Sequence, residues 1–152
     1  MGCLPQTHFI LRLFRIDKGG QIEFPIPPVK KLEHFELKKK HAEFCPVGQA
    51  SFAEVSELLR RAVLRCRKEK IAKLLIDSTG LTEFQPPELA ERFNLAAQIA
   101  SDAASSVKIA HLASRAWFRS GDFGLQVARN RGLDVMNFDS ASTALKWLLK
   151  NE

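Results

Sequence analysis

From residue 51 onward, apolar positions alternate between short unbroken runs and stripes at helical spacing. "SFAEVSELLRRAVLRC" places Phe52, Val55, Leu58, Leu59, Ala62, Val63 and Cys66 at intervals of three and four, which predicts an amphipathic helix. Ser51 and Glu54 open it with a capping-box pattern. "KIAKLLID" follows as an aliphatic run without strict polar alternation, as expected of a strand covered on both faces. "PPELAERFNLAAQIASDAA" returns to helical spacing, with Leu89, Phe93, Ala96, Ala97 and Ala100 on one face and Pro86-Pro87 in the expected first turn. The series continues with strand "VKIAHLA", helix "GDFGLQVARNRG" closed by Gly132, and strand "LDVMNF". The last helix, "DSASTALKWLLK", is capped by Asp139 or Ser140 and presents Ala141, Ala144, Leu145, Leu148 and Leu149. Strands alternating with helices imply parallel strands joined by crossovers.

The first fifty residues carry another pattern. "HFILRLFRI" and "QIEFPI" read as strands around the turn "DKGG", a hairpin. "HFELKKKHAEFC" reads as a further, broken strand, and prolines at 25, 27 and 28 favour a sheet edge. The expectation is one α/β domain over residues 1–152. Its β-rich portion is 1–49; its alternating portion, 50–152, has parallel C-terminal strands and about four helices.

Composition adds a compartment and a charge asymmetry. Apolar residues make up 45% and charged residues 26%, a globular balance. No apolar run approaches the roughly 20 residues that span a bilayer, so no transmembrane segment is expected. "MGCLPQTHF" has neither the basic segment nor the apolar core of a secretory signal, and Gln6 breaks the myristoylation pattern. Three cysteines without a Cys-x-x-Cys pair fit a reducing cytoplasm. Residues 1–76 hold 15 Lys/Arg against 8 Asp/Glu, and residues 77–152 hold 8 against 9. The basic excess sits in Lys38–Lys40 and "RRAVLRCRKEK". No aromatic residues interleave it, which favours a solvated helix face over a nucleic-acid surface.

"KLLIDSTGLTEF" contains Asp77-Ser78-Thr79-Gly80, similar to the Asp-Ser-Ser-Gly phosphoswitch of anti-sigma-factor antagonists. With "DFGLQVARNRGLDVMNF" and the closing "ALKWLL", in this order, the chain resembles STAS-like proteins, particularly the SpoIIAA-like subgroup, over roughly residues 50 to 150. The resemblance implies a STAS-like sheet. It also aligns Asp77 with a strand-end Asp and puts the switch position in "FQPPE", which has no hydroxyl. The phosphoswitch is therefore not expected, and Thr79, at a strand-end turn, is the remaining candidate for phosphorylation.

Catalytic signatures are sparse. "GDFG" lacks the glycine-rich loop and catalytic segment of a kinase, and no Gly-x-Ser-x-Gly elbow occurs. His41 and Cys45 share a parity but would stand about 13 Å apart on one strand, too far for one metal ion. His111, inside a predicted strand, reads as a structural histidine. We expect no enzyme activity, no cofactor and no metal.

Ligands of open α/β sheets gather at the carboxyl ends of parallel strands. Those ends supply the candidate ligand or partner surface: Ser78, Thr79, Ser114, Arg115, Trp117, Phe118, Arg119, Asp139 and Ser140. Trp117 and Phe118 between two arginines are residue types enriched in interface anchors. The leading functional expectation, implied by the resemblance, is a non-catalytic cytoplasmic regulatory module that binds a protein partner. A carrier of a small apolar or anionic ligand comes next, then a weak nucleic-acid binder. An edge strand and an apolar helix flank also suggest a homodimer.

Overall fold

A computed structural model describes residues 15–16, 22–23, 33–82, 85–115 and 122–151. The chain forms two compact units, Met1–Lys31 and Leu32–Glu152. In the first, β1 (Arg15–Ile16) and β2 (Ile22–Glu23) pair antiparallel, as the hairpin reading expects. The turn "DKGG" between them lies outside the described residues.

The second unit is α/β. Its "HFELKKKHAEFC" segment is not one broken strand but two, β3 (Phe35–Leu37) and β4 (Ala42–Phe44), paired antiparallel. Three consecutive lysines sit at the connection, where their charges stay in water. A short β5 (Gly48–Gln49) precedes α1 (Phe52–Lys68). Then come β6 (Lys73–Asp77), β7 (Leu81–Thr82), α2 (Leu89–Ala103), β8 (Lys108–Leu112), α3 (Phe123–Asn130), β9 (Val135–Phe138) and α4 (Ala141–Leu149). The main sheet has the order β3-β4-β6-β8-β9, with β4, β6, β8 and β9 parallel. A second, two-stranded sheet pairs β5 with β7 in parallel.

Strand parity divides the core. Ala42, Phe44, Leu74, Ile76, Ile109 and Val135 face α1, α2 and α3, where they meet Ala62, Val63, Cys66, Ala96, Ala100, Val127 and Ala128. Leu75 and Ala110 face the other way, onto Ala144 and Leu148 of α4, with Phe138 and Trp147 packed beside them. Burial pushes the Cys66 thiol up to about 12, so it acts as a small hydrophobe.

Helix starts follow local chemistry. Ser51 and Glu54 form the expected reciprocal capping box of α1. Pro86 and Pro87 are not in the first turn of α2 but just before it: Glu88 is the N-cap and accepts help from Glu91, whose carboxylate takes the Glu88 N–H at 2.8 Å. Helix α2 also turns a different face inward. Ala96, Ala100 and Ala103 are buried, while Leu89 and Phe93 are 59% and 39% exposed. Phe93 instead stacks on Phe123 of α3, ring centroids 6.4 Å apart. Arg60 of α1 clamps α2 through Asp102, with Nε 2.7 Å from Oδ2.

Helix α4 covers its sheet face with Leu148 as the deepest contact, fully buried against Leu75 and Ala110. Leu148→Ala should therefore lower unfolding free energy by about 2–5 kcal/mol, measured by urea denaturation. A loss below about 1 kcal/mol would mean that this face closes around the gap or is not a packed core.

Candidate functional site

The register of the parallel strands places Ile76 beside His111 and His111 beside Asn137. Ser78 lies two residues beyond Ile76, so it points to the same face. The outcome is a chain of hydrogen bonds across three neighbouring strands. Ser78 Oγ is 3.0 Å from His111 Nε2, and His111 Nδ1 is 3.1 Å from Asn137 Oδ1. Since Asn137 Oδ1 only accepts, Nδ1 carries the ring proton and Nε2 accepts from the Ser78 hydroxyl. Burial pushes the His111 imidazole below its ordinary value, against the Asn137 hydrogen bond and the Asp77 charge, which pull it up. The ring is neutral at pH 7.

These three side chains line a cavity of about 190 Å³ between the sheet and helices α1, α2 and α3. Val55, Leu59, Ile76, Leu95, Ile99, Ile109, Leu125 and Val135 make most of its wall. Small residues, Ala96, Gly124 and Ala128, are part of its helical wall. Half-buried Arg92 and exposed Asp122 also contribute, with opposite charges. A cavity of roughly 150 Å³ with an apolar lining accepts benzene, so this one suits a molecule of about that size carrying one polar group.

The Asp77-Ser78-Thr79-Gly80 turn has a structural account for each residue. The Asp77 carboxylate accepts the Thr79 N–H at 2.9 Å and the Thr79 hydroxyl. Ser78 is 4% exposed and turned inward to His111. Gly80 is dictated by close approach: a Cβ there would lie 2.8 Å from Val47 Cγ1.

The other candidate residues sit elsewhere. Thr79, Ser114, Arg115 and Asp139 are exposed and Ser140 is half-buried, and Arg115 Nε reaches Asp139 Oδ2 at 3.3 Å. Trp117, Phe118 and Arg119 lie outside the described residues. Asp139 is not the cap of α4; Ser140 is its N-cap residue, and its hydroxyl meets that of Ser142 at 2.9 Å. Several basic residues of the N-terminal half are engaged within the protein. Arg60 pairs with Asp102, Arg65 with Glu69, and Lys38 with Glu36 and Glu43. Among the described residues no group of three His, Cys, Asp or Glu side chains is placed to hold a metal ion. No described helix is long and apolar enough to cross a membrane.

His111 and Asn137 were absent from the expected surface. Their signal was a polar residue at the same inward parity in two successive strands, His111 in "KIAHL" and Asn137 in "VMNF". No protein-family model and no curated protein matches this chain.

Because folding depresses the His111 pKa, the unfolded chain takes up a proton there first as pH falls. This position's contribution to stability should therefore decline as pH drops below the ordinary value of 6.5, and level off below the folded value. The difference in unfolding free energy between wild type and His111→Gln should shrink from pH 7.5 towards about pH 5.5, read by urea denaturation at each pH. A difference that grows on acidification would mean a raised pKa instead.

Proposed function

We propose that this chain is a STAS-like small-ligand module, holding a compact, mostly apolar, uncharged molecule in the cavity floored by Ser78, His111 and Asn137. The observation that carries the reading is the meeting of an apolar cavity with a hydrogen-bonded polar trio. Ligand pockets combine these features: a largely apolar wall, with a few convergent polar groups to fix orientation. The antiparallel edge strand and alternating parallel strands accord with the STAS-like resemblance of "LLIDSTGL" and "DFGLQVARNRGLDVMNF". Neutral His111 brings no cation to the polar end of the pocket, which favours a neutral hydroxyl or amide there over a carboxylate.

Phenol and benzoate separate these head groups at nearly constant size. Titrated into the labelled protein and followed by amide chemical shifts, phenol should perturb Ser78, His111 and Asn137 at least about tenfold more tightly than benzoate, because an unpaired buried charge is costly. Ala96→Phe, which fills the cavity, should abolish phenol binding while costing about 1–3 kcal/mol of stability. Equal binding of both probes, or binding that survives the filled cavity, would overturn the reading.

A second reading, a regulatory module with a protein partner, is favoured by one surface. Leu89, Phe93 and Phe123 are exposed together on the flank of α2 and α3, and the Arg131 guanidinium lies 5.1 Å from the Phe93 ring centroid. Aromatics and arginine are interface anchors. If a second copy uses this flank, sedimentation should find a wild-type dimer and a Phe93→Glu, Phe123→Glu monomer. Monomers in both would remove self-association from this reading.

A further inference from the structure

The geometry of the trio goes further than recognition. A serine nucleophile needs a neighbouring base within hydrogen-bond reach, and that base needs a third group to hold its tautomer. Ser78 Oγ, His111 and Asn137 stand in this relation at 3.0 and 3.1 Å, with the imidazole acceptor turned to the hydroxyl. Ser78 is among the residues that line the cavity, beside His111 and Asn137, so an acyl group held there lies next to it. We propose that Ser78 is an acyl-accepting nucleophile, with His111 as its general base and Asn137 as a positioning residue, acting on small apolar carboxylic esters. The proposal rests on the ligand-pocket reading above.

The step balances within the protein and its substrate. As the Ser78 Oγ–carbon bond forms at the ester carbonyl, the hydroxyl proton moves to His111 Nε2. The ester C–O bond then breaks, and the leaving alcohol carries that proton away. Water, deprotonated by the same nitrogen, attacks the acyl-serine and releases a carboxylic acid, restoring the hydroxyl. The Ser78 backbone N–H is committed to Leu112 O at 2.9 Å and does not serve the developing oxyanion. The general base then supplies the main acceleration, on the order of 10²–10⁴, and turnover is slow.

A small alkyl fluorophosphonate tests this directly, because displacement of fluoride leaves a stable phosphonyl-serine. With the whole chain, intact mass should rise by one adduct, mapped by peptide sequencing to Ser78. His111→Gln should slow labelling at least about 100-fold. Asn137→Leu should slow labelling and move the midpoint of its pH profile downward, because the Asn137 hydrogen bond holds the His111 pKa up. Far-UV circular dichroism checks that both variants are folded, and the wild-type adduct needs no variant. No adduct, an adduct elsewhere, or labelling indifferent to His111→Gln would overturn the proposal. Reversible phenol binding without labelling would sink the nucleophile alone; loss of both would sink the ligand pocket as well.

Discussion

Strand parity is the constraint on which the rest depends. In β6, β8 and β9 every second residue points to the three-helix face and the others to α4. The register Ile76–His111–Asn137 is fixed because a slip of one residue would turn Leu74, Ile109 and Val135 out of the larger core. Burial of those aliphatic side chains therefore holds Ser78, His111 and Asn137 in line. No polar interaction has to find that alignment by itself.

Helix packing then decides what the trio faces. Alanines on α2 let that helix lie against its neighbours, and its larger Leu89 and Phe93 remain outside. A close-packed interior would fill the space left by small residues; here Ala96, Gly124 and Ala128 border a cavity beside the polar groups. Such a void forfeits dispersion contacts along its apolar wall. The rest of the larger core, from Phe44 to Leu133, carries the stability that tolerates it.

The alternation of elements was legible because period and length carry it: "KLLID" and "SFAEVSELLRRAVLRC" differ in both. The face of α2 was not. Leu89 and Phe93 fit a helical stripe as well as Ala100 does, and only the packing of α2 against α1 and α3 selects alanine. Ser78 was legible as a strand-end residue, but its neighbours were not. His111 and Asn137 are 33 and 26 residues from their partners Ser78 and His111, and a register between strands is a tertiary property that no local string spells. The lysine run of "HFELKKKHAEFC" marked a connection, which a reading weighted by apolar residues took for a break in one strand.

A polar trio on the helix-covered face of the sheet is a choice the fold did not require. Each internal hydrogen bond contributes only about 0.5–1.5 kcal/mol net, and replacing both partners by apolar groups of like shape is often neutral or stabilising. Aliphatic residues at 78, 111 and 137 would extend the core already made by Ile76, Ile109 and Val135. They would also remove the depressed His111 pKa and the stability it costs at acid pH. Packing thus explains where these three side chains point, but not their polarity. The cavity beside them supplies the physical reason: polar groups whose hydrogen bonds are worth little to folding are worth more to a molecule that must otherwise leave water unpartnered.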